Sequence, residues 1–219
     1  MKQILHNNIP FIKMFLPLQS YIQSVTNDFQ NIPTIRQKIL ESVGTFIRQQ
    51  LNNNQRINLN FICTHNSRRS HFGQVWAEIA VIHYGLKNIH TYSGGTEATS
   101  FNIRSVAALQ RAGFEVKKLE QDNESENPRY QLYFADDTPP MTCFSKAYDH
   151  FANPSINFIA IMTCSDADEN CPLVLGAIQR FSVTYEDPKV ADDTPKETLK
   201  YDERCRQIAT ETFYMLSKV

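Results

Sequence analysis

No apolar run in the chain approaches the roughly 18 residues that a membrane-spanning helix needs. The opening MKQILHNNIPFIKMFLP breaks its apolar residues with charged and amide side chains, so a secretory leader is not expected. Positive charge is not in excess. Lys and Arg number 22 against 23 Asp and Glu, and the net charge of -1 argues against non-specific nucleic-acid binding. The sequence has no internal repeat and no low-complexity tract. It holds only five cysteines, an odd number and widely spaced, which does not make the framework of a small secreted domain. A reducing cytoplasm is the expected location, where thiols are catalytic, redox-active or buried. What is there is an ordinary globular composition, 42% hydrophobic over 219 residues, enough for one cored domain with an appendage.

Residues 1–55 differ from the rest. They contain no cysteine, and Gly44 is their one glycine. Ile35, Ile39, Val43, Phe46, Ile47 and Leu51 recur at helical spacing, and a shorter helix is expected around 17–29. The polar run 52–56 then links this N-terminal helical extension to a second unit, 56–219. There the pattern alternates. INLNFIC (57–63), 89–93, FIAIMTC (158–164) and 181–185 read as strands, with a further one at 130–134. Helices are expected after residue 70, over 102–112 and from about 195 to the end. The expected fold is a three-layer α/β/α arrangement with a central, mainly parallel four-stranded sheet. In such sheets ligands bind at the carboxyl ends of strands. Cys63, Cys164 and the pair Glu186-Asp187 all fall at expected strand ends, so they should meet at one edge.

The segment Cys63-Thr64-His65-Asn66-Ser67-Arg68-Arg69-Ser70 lies between a strand and a helix. Successive backbone N–H groups opening into a helix N-terminus form an oxyanion site, to which Thr64, His65, Asn66, Ser67 and Arg68 contribute. Arg69 adds a planar fork for two oxygens. The same field favours the Cys63 thiolate, and Ser70 can hydrogen-bond its sulfur. A cysteine followed six positions later by an arginine is weak by itself. The strand before it, the helix after it, and Asn66 and Ser70 in place make it strong. Cys164 and Cys171 form a second pair, seven positions apart, in CSDADENCP after an inner strand. Zinc sites want closer spacing and more ligands, so no metal is expected. Two inert cysteines are the alternative. Cys143 and Cys205 read as core, His71 as an exposed helix residue, and Asp192-Asp193 as solvated.

Residues 57–114 resemble the low-molecular-weight protein tyrosine phosphatase superfamily, through the cysteine loop with Asn66 and the stretch SGGTEATSFN (93–102). CSDADENCP is similar to a segment of the thioredoxin-coupled arsenate reductases, which simple phosphatases lack. This resemblance implies that Asn66 holds the loop in shape and that Asp187, in an Asp-Pro pair, is the general acid. It also implies a relay. Cys63 attacks arsenate, Cys164 attacks Cys63 and releases arsenite, and Cys171 carries the redox-active disulfide outward to thioredoxin. No bound cofactor is implied. The loop joining Cys164 to Cys171 would have to move. Three features depart from the pattern. His65 and Arg68 are larger and more basic than usual, Gln74 stands where potassium-binding members have Glu, and 115–155 matches poorly. The alternative is a phosphatase acting on phosphomonoesters through the same loop and Asp187. A third reading, a redox-sensing regulator, sits poorly with an intact nucleophile, arginine and acid.

Overall fold

The computed structural model describes residues 12–122, 125–170 and 173–219. Two helices, α1 (Leu16–Thr26) and α2 (Thr34–Asn52), precede β1 (Ile57–Cys63), α3 (Arg69–His83), β2 (Ile89–Gly95) and α4 (Ile103–Arg111). Three short strands follow: β3 (Glu115–Lys118), β4 (Tyr130–Tyr133) and β5 (Met141–Cys143). The chain then forms β6 (Phe158–Met162), α5 (Ser165–Asn170), β7 (Ala177–Ser182) and α6 (Glu197–Leu216).

The main sheet has four strands in the order β2-β1-β6-β7, every neighbouring pair parallel. Side chains of a strand alternate between faces, and here both faces are covered. Leu59 and Phe61 of β1, with Ile159 and Ile161 of β6, enter a large core shared with α3 and α6. Ile62 and Phe158, Ala160 and Met162 point the other way, into a smaller cluster closed by Ala167 of α5 and by Val174. Burial on both sides is why these strands read as nearly continuous apolar runs. The fold is the expected three-layer α/β/α arrangement around a parallel four-stranded sheet, with N-terminal helices added.

Those helices pack on the large core. Leu18, Ile22 and Val25 of α1 and Leu40, Val43 and Ile47 of α2 join the cluster that holds Ile208, Ala209 and Phe213 of α6. Six such side chains contribute on the order of 10 kcal/mol before chain entropy is set against them. A Cβ on Gly44 would lie 2.5 Å from the Met215 carbonyl oxygen, so α2 lies directly against α6. The packed stripe of α2 is shifted from the expected one: Ile35 and Ile39 are exposed and Leu40 takes the inner position.

Three local differences from the sequence reading stand out. The edge strand β7 covers Ala177–Ser182 rather than 181–185, and beyond it Val183 and Tyr185 still donate to Met162 and Thr163. Residues 165–170, expected as a loop, are wound into α5. The poorly matching stretch holds a second sheet, antiparallel in the order β3-β4-β5. Of its strands β4 matches the one expected at 130–134, while β3 and β5, four and three residues long, are too short to display a period.

Candidate active site

Cys63 is the last residue of β1, and α3 begins at Arg69. The loop between them is held by its carbonyl groups. Cys63 O accepts from Thr96 N, Thr64 O from Glu97 N and Ser67 O from Asn102 N, each at 3.0 Å. His65 O accepts from the Ser145 hydroxyl at 2.8 Å and the Thr99 hydroxyl at 3.3 Å. In a trans peptide the N–H points opposite the carbonyl. The N–H groups of Thr64, His65, Asn66 and Arg68 are therefore turned away from these partners. Gly95 makes the close approach possible: a Cβ there would stand 2.5 Å from Thr64 O and 2.7 Å from Asn66 N.

Asn66 sits in the left-handed region at φ 44°, which asparagine tolerates better than most residues. Its Nδ2 donates to Ser70 Oγ at 2.8 Å and its Oδ1 accepts from Lys146 N at 2.9 Å. Ser70 Oγ stands 3.1 Å from Cys63 Sγ. The hydroxyl accepts from Asn66, so its own proton is left for the sulfur.

The Arg69 guanidinium is buried. Its Nη1 donates to Tyr185 O at 2.9 Å and its Nη2 to Asp187 Oδ2 at 2.7 Å. Its Nε has no protein partner among the described residues. Asp187 caps the turn at Pro188–Ala191 by accepting from Lys189 N at 3.0 Å. The structure thus sets Ser70 against Cys63 and Asp187 against Arg69. Arg68 goes elsewhere: its Nε donates to the Tyr201 hydroxyl at 2.8 Å, and Asp192 and Asp187 lie 3.6 and 3.8 Å from its guanidinium. Tyr201 in turn donates to Asp192 Oδ1 at 2.8 Å. Asp192, expected in solvent, is therefore drawn into this network, while Asp193 stays exposed and pairs with Arg104. At the rim, His65 Nε2 meets Glu97 Oε1 at 2.8 Å, both side chains being largely exposed.

Cys164 is fully buried just past the C-terminal end of β6, the strand beside β1. Its sulfur lies 3.4 Å from Thr64 Oγ1 and accepts from Ala167 N at 3.4 Å. Cys63 and Cys164 belong to the same small apolar cluster. Cys171 lies outside the described residues. Cys143 and Cys205 are core residues, and burial pushes both thiols up to about 12, which leaves them unreactive.

His71 was expected on the surface and is completely buried. Its ring stacks on Phe101 at 3.9 Å and its Nδ1 lies 3.4 Å from Ser93 Oγ. Burial, and then the nearby Lys146, hold its proton affinity well below the ordinary range. Gln74 continues this polar path, accepting from Ser93 Oγ at 2.6 Å and donating to Thr91 O at 3.3 Å. Sequence reasoning missed Glu97, Tyr201, Ser145 and Lys146 as neighbours of the loop. Glu97 lay inside the stretch already singled out, whereas the other three carry no local pattern. Among the described residues, no group of three His, Cys, Asp or Glu side chains is placed to hold a metal ion.

No family model matches the chain. It is 28% identical to an arsenate reductase of Bacillus licheniformis over 146 residues, 67% of this chain and 84% of that protein. An arsenate reductase of Bacillus subtilis is 25% identical over the same length, with the same coverage. Over that length the chain is similar to arsenate reductases. Its fold is shared with a low-molecular-weight phosphotyrosine phosphatase of Vibrio cholerae, at a TM-score of 0.51 and 12% identity, over 74% of this chain and 95% of that one. The likeness in sequence is to arsenate reductases, and the likeness to the phosphatase is one of fold.

Proposed function

We propose that this chain is a thioredoxin-coupled arsenate reductase. The observation that carries the reading is the Cys164 sulfur, 3.4 Å from the side chain of Thr64, the residue next to Cys63. Phosphate and arsenate have nearly the same shape and charge, so the anion loop alone does not choose between them. A second thiol beside the first does, because a phosphomonoesterase has no use for it. The arsenate reductase relatives support the same choice.

In this reading residues 56–219 are the catalytic unit. The N–H groups of the loop and Arg69 hold the oxyanion, and the Cys63 thiolate attacks arsenic. Asp187 protonates the oxygen that leaves as water, which yields a thiol–arsenate adduct. The Cys164 thiolate then attacks Cys63 sulfur. The sulfur–arsenic bond breaks with its electron pair going to arsenic, so As(V) becomes As(III) and leaves as arsenite. Cys171 attacks Cys164, frees Cys63 as a thiolate, and leaves a Cys164–Cys171 disulfide that the thioredoxin dithiol reduces. Each cycle consumes two electrons. The chemistry belongs to a reducing compartment such as the cytoplasm, with no membrane or nucleic acid involved.

The test is arsenate-dependent NADPH oxidation with thioredoxin and thioredoxin reductase. Wild-type protein should turn over, and Cys171→Ser should stop after one event. Hydrolysis of a phosphomonoester without arsenate turnover would replace this reading with the phosphatase. The phosphatase reading is favoured by the fold shared with the Vibrio cholerae enzyme and by needing only Cys63, Arg69 and Asp187.

A further inference from the structure

We propose that the N-terminal extension takes part in the reaction through one side chain, Arg36 of α2, which fixes Thr184–Asp187 in place for Arg69 and the oxyanion. β7 ends at Ser182, so this segment lies outside regular structure, and the sheet secures it only through the Val183 and Tyr185 N–H groups. Its side chains are also held by Lys189 N, which donates to Asp187, and by Arg204, which pairs with Glu186, while two guanidinium groups hold its backbone carbonyls. From the site, Arg69 donates to Tyr185 O at 2.9 Å and to Asp187 at 2.7 Å. From behind, Arg36 Nη2 donates to Thr184 O at 3.1 Å, and its guanidinium lies 4.8 Å from the centre of the Tyr185 ring.

Arg36 is itself immobilised. Its Nε donates to Glu211 Oε2 of α6 at 2.8 Å, and the other Glu211 oxygen accepts from Gln207 at 3.0 Å. The two side chains are 16% and 5% exposed, so the pair is shielded from water and salt. A planar fork can hold a carboxylate and a carbonyl at once and still stack on a ring, which an ammonium cannot. Arg36 touches no reacting atom, and so it is a positioning residue. The segment it holds presents both partners of Arg69, so a shift there moves the guanidinium that faces the anion. Displacements of about 1 Å at such distances can cost up to about a hundredfold.

The inference rests on the reading of Cys63–Ser70 as an oxyanion site, which the reductase and the phosphatase share. The experiment uses the full chain, with inorganic phosphate as probe and iodoacetamide labelling of each cysteine read by mass spectrometry. Phosphate should protect Cys63 in the wild type. In Arg36→Met the phosphate Kd should rise about tenfold or more. Arg36→Met combined with Glu211→Gln, which removes the stranded carboxylate, should show the same rise. Arg36→Lys, which keeps the pair with Glu211 but not the fork, should fall between. Without phosphate, the labelling rate of Cys63 should change by less than the phosphate Kd does, because the loop N–H groups, Asn66 and Ser70 are untouched. Cys143 and Cys205 should stay unlabelled. A phosphate Kd within twofold of wild type in the double variant would overturn the proposal. Weakened phosphate binding accompanied by labelling of Cys143 and Cys205 would also overturn it, since Arg36 would then only stabilise the fold. Absence of any phosphate protection in the wild type would remove the anion site, and the role of Arg36 with it.

Discussion

The Ser70 hydroxyl stands 3.1 Å from the Cys63 sulfur while accepting the Asn66 amide proton at 2.8 Å. The direction of that chain matters, because once Cys63 is a thiolate the Ser70 hydroxyl is left free to donate to it. The Cys63 sulfur carries negative charge as the attacking thiolate and again when it is freed as a thiolate at the end of the cycle, and a fixed donor stabilises it both times. Ser70→Ala should therefore lower turnover by about a hundredfold while leaving phosphate binding within a few-fold. Parallel measurement of kcat and phosphate Kd checks this, and an equal loss in both would show that Ser70 shapes the anion site instead.

Gly95 is the second point of dependence. Any side chain there meets the backbone of Thr64 and Asn66 at 2.5–2.7 Å, and backbone has nowhere to go. Gly95→Ala should cost about 2–3 kcal/mol in urea unfolding and abolish turnover, because the clash falls on the anion loop itself. Retained activity in a folded Gly95→Ala protein would mean that the loop can form another way.

Asp187→Asn should slow the first chemical step by about 10²–10⁴-fold without weakening phosphate binding to the same extent. Arg69→Lys should do the opposite and weaken phosphate binding strongly. A lysine cannot hold Tyr185 O and Asp187 as Arg69 does and still present an N–H to the anion. Rapid-quench measurement of the Cys63 adduct separates the two.

His71 predicts a pH dependence of stability. Burial keeps its folded-state proton affinity well below the ordinary value of 6.5. As pH falls through 6.5 the unfolded chain takes up a proton there and the folded protein does not. Stability therefore drops below pH 6.5, by at most about 1.4 kcal/mol per pH unit from this group. His71→Gln keeps a polar side chain and removes the titration, so its urea-unfolding stability should fall less steeply between pH 6.5 and 5. Equal slopes in the two proteins would place the proton elsewhere.

The sheet was legible because β1 and β6 are buried on both faces and say so in their composition. The loop was legible because its chemistry is local: Cys63, Asn66, Arg69 and Ser70 lie within eight positions. What the sequence hid is what arrives from far away. His71 looked like a surface residue because nothing in its helix shows that Phe101 stacks on it. The partners of Arg68, Tyr201 and Asp192, lie in or just before the last helix, and no spacing rule joins them to the loop. In the small sheet β4 was legible, but β3 and β5 fell below the length at which alternation can be seen.

Thr64 and Cys164 touch across 100 positions of chain, on adjacent parallel strands. Parallel pairing of that span is slow to form, because the loop must close before any contact rewards it. Cys164 therefore reaches the Cys63 loop only when β6 docks beside β1. A nascent chain that has folded its helices and β1 carries ordinary thiols and no second sulfur next to Cys63. Recovery of turnover during refolding should thus lag behind recovery of helical signal, and the enzyme acquires its reactive centre last.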